Sequence, residues 1–192
     1  MSMFYELMMR KKTGIMYATI KGSLTENDGV FSGFISQTNY LQLPSLTVEQ
    51  IGTDSTFVAR FKKTSGNYRP IYNSGGNSVL WININSSDKV VVKIGNITQF
   101  TTSSALDIDW TQYHTIKVVF KNYKVSIFID NILFEEHQFA TPTNLTVERP
   151  IYIGNETWNT SSGTSYTDYY IDLPKCYIKL GSTKYNIVAS EE

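Results

Sequence analysis

One cysteine, two histidines and five prolines are all that this 192-residue chain contains of those types, and its 17 basic residues are cancelled by 17 acidic ones. A lone Cys176 excludes an internal disulfide, and its place in the segment CYIKL marks a small strand residue rather than a nucleophile. Two separated histidines, His114 and His137, are too few for a zinc site. A chain of zero net charge lacks the electrostatic footprint of a phosphate-backbone binder, so nucleic acid is not an expected partner. Long apolar runs are missing too. The five methionines all lie within the first sixteen residues, but Glu6, Arg10, Lys11 and Lys12 interrupt them, so neither a signal peptide nor a membrane insertion is expected. No phosphate loop, dinucleotide fingerprint, EF-hand loop or Gly-x-Ser-x-Gly elbow occurs. No segment carries a 3.6-residue apolar stripe, which removes helical folds.

What the chain does have is period-2 alternation. In Tyr113 to Phe134, Ile116, Val118 and Phe120 alternate with Thr115, Lys117 and Lys121; Val125, Ile127 and Ile129 then alternate with Lys124, Ser126 and Asp130. Alternation of this kind sends one set of side chains to a buried face, and Asn122-Tyr123 and Asp130-Asn131 supply the positive φ of tight hairpin turns, so the stretch predicts a β-meander. Phe57, Ala59 and Phe61 continue the pattern, as do Leu80, Ile82 and Ile84, and Val90, Val92 and Ile94. Further strands are predicted at 98–101, 150–154, 169–173, 176–180 and 184–189. About a dozen short strands separated by polar breaks predict an all-β, two-sheet antiparallel jelly-roll sandwich in one domain over residues 31–192.

Residues 1–30 read differently. Apolar groups on both sides of any strand through Phe4 to Met9 fit a strand covered on two faces, or thioethers packing on another subunit, and the second reading makes Met3, Phe4, Met8 and Met9 the candidate partner-binding residues. Trp81, Val91, Val119 and Phe128 fall on the face opposite the core set, where polar residues would be expected on a wet surface, so a cover over that face is predicted.

The order FSGFISQTNYLQLP, STFVARFKK, the meander preceded by Trp110, RPIYIGN and YYIDLPKCYIKL resembles the concanavalin A-like lectin/glucanase fold, in its laminin-G-like branch. In that branch an aromatic-His pair opens the meander, an Ile-Asp-Gly turn closes it and a Leu/Ile-Tyr-Ile-Gly strand follows; here these are Tyr113-His114, Ile129-Asp130-Asn131 and Ile151 to Gly154, with Asn131 in place of glycine. The ending YYIDLPKCYIKLGSTKYNIV resembles modules of bacteriophage virion surface proteins. The resemblance implies a capsid or tail accessory protein on a virion surface, assembled in the host cytoplasm, whose partners are other virion proteins, copies of itself or a cell-surface glycan. Related modules also bind calcium through loop oxygens, for which Asp130, Asn155 and Asp168 are available; these residue types read first as turn formers, and no cofactor is expected.

The glucanases of this fold carry a Glu-x-Asp-x-x-Glu carboxylate set, and none occurs here. Glu135-Glu136-His137 is the densest acidic spot, but neighbours on a strand point to opposite faces, so it reads as a charged edge. Sugars bind by stacking an apolar ring face on an aromatic while polar groups take the hydroxyls, which makes Trp158, Tyr166, Tyr169, Tyr170, Asn155 and Asp168 the candidate glycan-binding set. The expectation is a non-catalytic, lectin-like virion protein; the alternatives are a purely structural decoration protein and a glycan hydrolase or lyase.

Overall fold

The computed structural model describes residues 14–36, 38–63, 69–74, 79–154 and 169–190, with 69 and 70 in backbone only. Sixteen strands account for most of them: β1 (Ile15–Lys21), β2 (Thr25–Asn27), β3 (Val30–Ser32), β4 (Tyr40–Thr47), β5 (Asp54–Lys63), β6 (Arg69–Asn73), β7 (Leu80–Ile84), β8 (Val90–Ile94), β9 (Phe100–Thr101), β10 (His114–Lys121), β11 (Lys124–Ile129), β12 (Ile132–Gln138), β13 (Glu148–Ile153), β14 (Tyr169–Asp172), β15 (Tyr177–Leu180) and β16 (Thr183–Ser190). The ladder runs β12-β11-β10-β5-β15-β16-β1-β4-β13-β6-β7-β8-β9, with β14, β3 and β2 branching from β5. Among the described strands only β1 with β16 is a parallel pair. Strand β1 therefore lies inside the sheet order, between β16 and β4, while Met3, Phe4, Met8 and Met9 fall outside the described residues.

Alternation builds the core as predicted. Phe57, Ala59 and Phe61 of β5, Ile116, Val118 and Phe120 of β10, and Val125, Ile127 and Ile129 of β11 are buried, as are Leu80, Ile82 and Ile84 of β7 and Val90, Val92 and Ile94 of β8. The two halves of the ladder face each other across this core. Tyr72 of β6 packs edge-on against Phe57 of β5 and its hydroxyl donates to the Val58 carbonyl at 2.7 Å. Asn122, Tyr123, Asp130 and Asn131 all have positive φ, which confirms both meander turns.

One element escapes the period-2 reading. Helix α1 (Val48–Thr53) is too short to show a stripe, yet it carries a capping box: Gln50 N–H donates to Thr47 Oγ1 at 3.1 Å and Thr47 N–H donates to Gln50 Oε1 at 2.8 Å. The helix buries Val48 and Ile51 and meets the β10–β11 turn, where Tyr123 N–H donates to the Gly52 carbonyl at 2.7 Å.

The ladder's two ends, β9 and β12, also meet. His137 stacks on Phe100 at 4.4 Å, and Glu135 accepts from the N–H and hydroxyl of Ser103 at 2.8 and 3.1 Å. Glu136 points the other way, to Lys124 and Ser126. The two carboxylates face apart as predicted, but the edge does more than repel: Glu135 ties one layer to the other.

The predicted cover over the outer face is met in part, from within the sheet. Val91 is buried, and Trp81, Val119 and Phe128 are half-buried. The roof consists of lysines from neighbouring strands, with Lys93 Nζ 5.1 Å from the Trp81 ring centre and Lys117 Nζ 4.1 Å from that of Phe128. Lysine stems lie along apolar surface while the ammonium stays wet, so they shield these two rings.

Candidate functional site

Strand β5 sends Arg60 and Lys62 to the outer face two residues apart, while Ala59 and Phe61 point inward. On one side lies Tyr113, the residue before β10, whose His114 pairs with Phe61; on the other, Tyr170 of β14 pairs with Lys62. The Arg60 guanidinium sits 4.7 Å from the Tyr113 ring centre, and Lys62 Nζ lies between two rings, 5.2 Å from Tyr113 and 5.1 Å from Tyr170. Arg60 also pairs with the Asp172 carboxylate, two residues after Tyr170 on the same face. Lys62 has no carboxylate partner among the described residues. Partial burial, with the nearby Asp172 charge, pushes the Tyr113 phenol up against the opposing pull of Arg60, so it stays protonated as a hydrogen-bond donor and acceptor.

This surface is held from beneath. Trp110 stacks on Phe61 at 5.4 Å and its carbonyl accepts from Lys63 N–H at 2.8 Å. Asp130 accepts from His114 Nδ1 at 2.7 Å and from Thr115 N–H at 2.8 Å, and His114 Nε2 reaches the Asp109 carbonyl at 2.9 Å. Burial works to raise the Asp130 carboxyl, but the His114 and Thr115 bonds and nearby positive charge outweigh it and its pKa is lowered. An Asp-His pair of this shape orients a catalytic base elsewhere. Here the second ring nitrogen is bonded to a backbone carbonyl, so the pair holds the meander's opening to its closing turn. His114 also packs edge-on against Trp110 at 6.0 Å, so it is both a packing residue and a hydrogen-bonding strut.

No family model matches the sequence, and no curated protein is similar to it. Solved structures do share the fold. The binding domain of botulinum neurotoxin serotype D matches with a TM-score of 0.60 at 10% identity, over 90% of this chain and 44% of that one. The binding domain of Paraclostridial Mosquitocidal Protein 1 matches with a TM-score of 0.63 at 10% identity, over 89% and 44%. Trypanosoma rangeli sialidase, in complex with 2,3-difluoro-KDN, matches with a TM-score of 0.58 at 11% identity, over 85% and 26%. The chain spans less than half the length of each. Likeness at such identities is of fold alone. Two of the three are binding domains and one is an enzyme.

Of the predicted glycan-binding set, Asn155, Trp158, Tyr166 and Asp168 lie outside the described residues. Tyr169 is a correction: it is 2% exposed, stacked on Phe34 at 4.9 Å and edge-on to Phe61 at 6.2 Å, so its ring belongs to the core and cannot stack on a sugar. Tyr170, its neighbour, faces outward. Asp130, named for calcium, has its two oxygens engaged by His114 and Thr115, and no group of three or more metal-ligating side chains is found among the described residues. Arg60, Lys62, Tyr113 and Asp172 were not in the predicted set. Their signal was the outward parity of VARFKK and YYID; their convergence depends on β5 pairing with both β10 and β14, which no local pattern encodes.

Proposed function

We propose that the chain is a non-catalytic, lectin-like module that binds glycan on the surface formed by Tyr113, Tyr170, Arg60 and Lys62. The observation that carries this reading is Lys62 of β5 set between two outward tyrosine rings, Tyr113 before β10 and Tyr170 of β14. Aromatic faces suit the apolar side of a sugar, and the cations and phenols suit its hydroxyls and any acidic group. A glycan array with wild type, Tyr170→Ala and Trp158→Ala tests it. Loss of binding in both variants supports a site spanning β14 and the adjoining segment; an unchanged Tyr170→Ala defeats this placement, and no binding by wild type defeats the reading. Placement on a bacteriophage virion is supported by the sequence resemblance alone, and mass spectrometry of purified virions checks it.

A structural role in an assembly is favoured by a different observation. Ile132 and Leu133, at the tip of the β11–β12 hairpin, are 74% and 51% exposed beside an apolar cleft of about 310 Å³ lined by Leu106, Ile108 and Phe134. Apolar side chains gathered at one tip suit a protein contact.

A further inference from the structure

The sheet forks at β5. Its later residues, Phe61 to Lys63, pair with β14, and its earlier ones, Ser55 to Val58, pair with β15; from β14 the ladder passes to β3 and β2, and from β15 to β16 and β1. A 3-10 turn at Leu173–Lys175 joins the two branches. Between them lies a cleft of about 590 Å³ walled by Ile20, Phe31, Leu173 and Pro174, with Glu26 its one charged lining side chain among the described residues.

Besides Gly29, the remaining wall is Asn186, Ile187, Val188 and Ala189 in unbroken succession. A strand that lines a cleft with its face contributes every second residue; one that contributes consecutive residues presents its edge. The pairing with β15 stops at Asn186, while that with β1 continues to Ser190. Asn186 N–H donates to the Gly14 carbonyl on the β1 side at 2.8 Å. Because successive peptide groups address opposite edges, the N–H and C=O of Ala189 point away from β1 and into the cleft, with no partner in the described ladders. Next to them Val188 is 42% exposed. An open edge flanked by apolar walls is a template for one more strand.

We propose that this cleft receives residues 4–10 of a second copy of the chain as an added strand. In the extended sequence FYELMMR, period 2 places Tyr5, Leu7 and Met9 on one side to meet the apolar walls, and Arg10, Lys11 and Lys12 follow to meet Glu26. Gly14 is bonded to the edge of β16 opposite the cleft, which favours a neighbour's arm over the copy's own as the occupant. The three residues 11–13 that join the docked segment to Gly14 span about 10 Å when extended, so the two copies would meet close to this edge. Reciprocal exchange between two copies gives a closed, two-fold dimer. The proposal is independent of the glycan reading.

Sedimentation velocity on the full chain tests it, with two variants. Ala189→Pro removes an N–H that faces the cleft and none that bonds to β1, and Leu7→Asp places a charge in the arm. The expected result is a wild-type dimer whose mass falls twofold in both variants while the melting temperature of the dissociated chain stays that of a folded protein. A wild type that is monomeric at all concentrations overturns the proposal, as does a dimer that persists in Leu7→Asp. If Ala189→Pro fails to fold, Val188→Glu replaces it, and binding of a synthetic peptide of residues 2–12 to the monomeric Leu7→Asp chain, absent when Val188→Glu is added, is then the supporting outcome; equal binding to both overturns it.

Discussion

Phe34 stacks on Tyr169 at 4.9 Å, and the same ring fills the space beside Gly154, where an added Cβ would come within 2.0 Å of it. Phe34 thus packs against both residues that flank the segment 155–168. Gly154 has φ of +95°, which L side chains rarely adopt, so Gly154→Ala meets backbone strain and a buried ring together. Strain alone costs about 1–3 kcal/mol. Chemical denaturation is expected to show a loss of at least that size, and a change under about 0.5 kcal/mol would mean that Phe34 gives way freely.

Between Ile171, which pairs with Phe61, and Tyr177, which pairs with Val58, the chain leaves the sheet as a 3-10 turn. The Arg60 peptide loses its ladder partner there and gains a side chain instead, while the Val58 carbonyl beside it takes a side-chain donor. Tyr72 donates to the Val58 carbonyl at 2.7 Å, and Arg60 N–H donates to Cys176 Sγ at 3.5 Å. Tyr72→Phe keeps the packing and removes one buried hydrogen bond from a carbonyl that Tyr177 still pairs in the ladder, which costs about 0.5–1.5 kcal/mol. Equilibrium unfolding of the variant, compared with a Tyr-to-Phe change at the half-exposed Tyr170, measures it.

Cys176 is 1% exposed, and burial pushes its thiol up to about 12. An unfolded chain carries the same thiol near about 8.5. The folded state therefore holds its proton where the unfolded one releases it, so this contribution to stability is complete below about pH 8.5 and is lost as pH rises towards 12. At pH 8 the native thiol should react with iodoacetamide at least about a thousandfold more slowly than the denatured chain, since the thiolate is the nucleophile. Labelling at the denatured rate would place Cys176 at the surface.

Asp130 has the opposite sign. Its folded pKa is lowered, so its contribution is complete above the unfolded value of about 3.9 and disappears as pH falls through the folded one. Asp130→Asn should flatten the dependence of stability on pH in that acidic window while keeping the turn, because Asn tolerates the φ of 49° that Asp130 adopts. Unfolding midpoints measured from pH 6 down to pH 2 in both proteins check this; parallel curves would remove Asp130 from the acid response.

The meander was legible because alternation and turn chemistry agree residue by residue there: each inward set is aliphatic or aromatic, and each turn residue tolerates positive φ. The Tyr113-His114 and Ile129-Asp130 motifs, read as separate marks of a resemblance, are one hydrogen-bonded unit in space. Helix α1 was hidden because six residues cannot display a 3.6 period, although Thr47 and Gln50 already spelled its cap. The arginine and lysine of the outer face were hidden for another reason. Their neighbours come from β10 and β14, some fifty and one hundred and ten residues away, and such registers are tertiary information.

Tyr169 and Tyr170 separate packing from binding most sharply. They are adjacent, yet strand parity sends one into the core with Ile171 and the other outward with Asp172; the charge on Asp172 is the cue in the sequence that fixes which is which. Tyr169→Ala deletes a ring held between Phe34 and Phe61 and should cost about 3–5 kcal/mol. Tyr170→Ala removes a half-buried ring whose one described ring contact is Lys62, and should cost under about 1 kcal/mol, leaving the ammonium against Tyr113 alone. Glycan affinity should move the other way round. A Tyr169→Ala chain, assayed below its lowered melting point, is expected to retain binding within a few-fold, and a Tyr170→Ala chain to lose at least about tenfold, the loss expected of a stacking ring worth roughly 1.4 kcal/mol. If instead both variants bind alike, the outward face of β14 is a stabilising surface and the contact with glycan lies elsewhere.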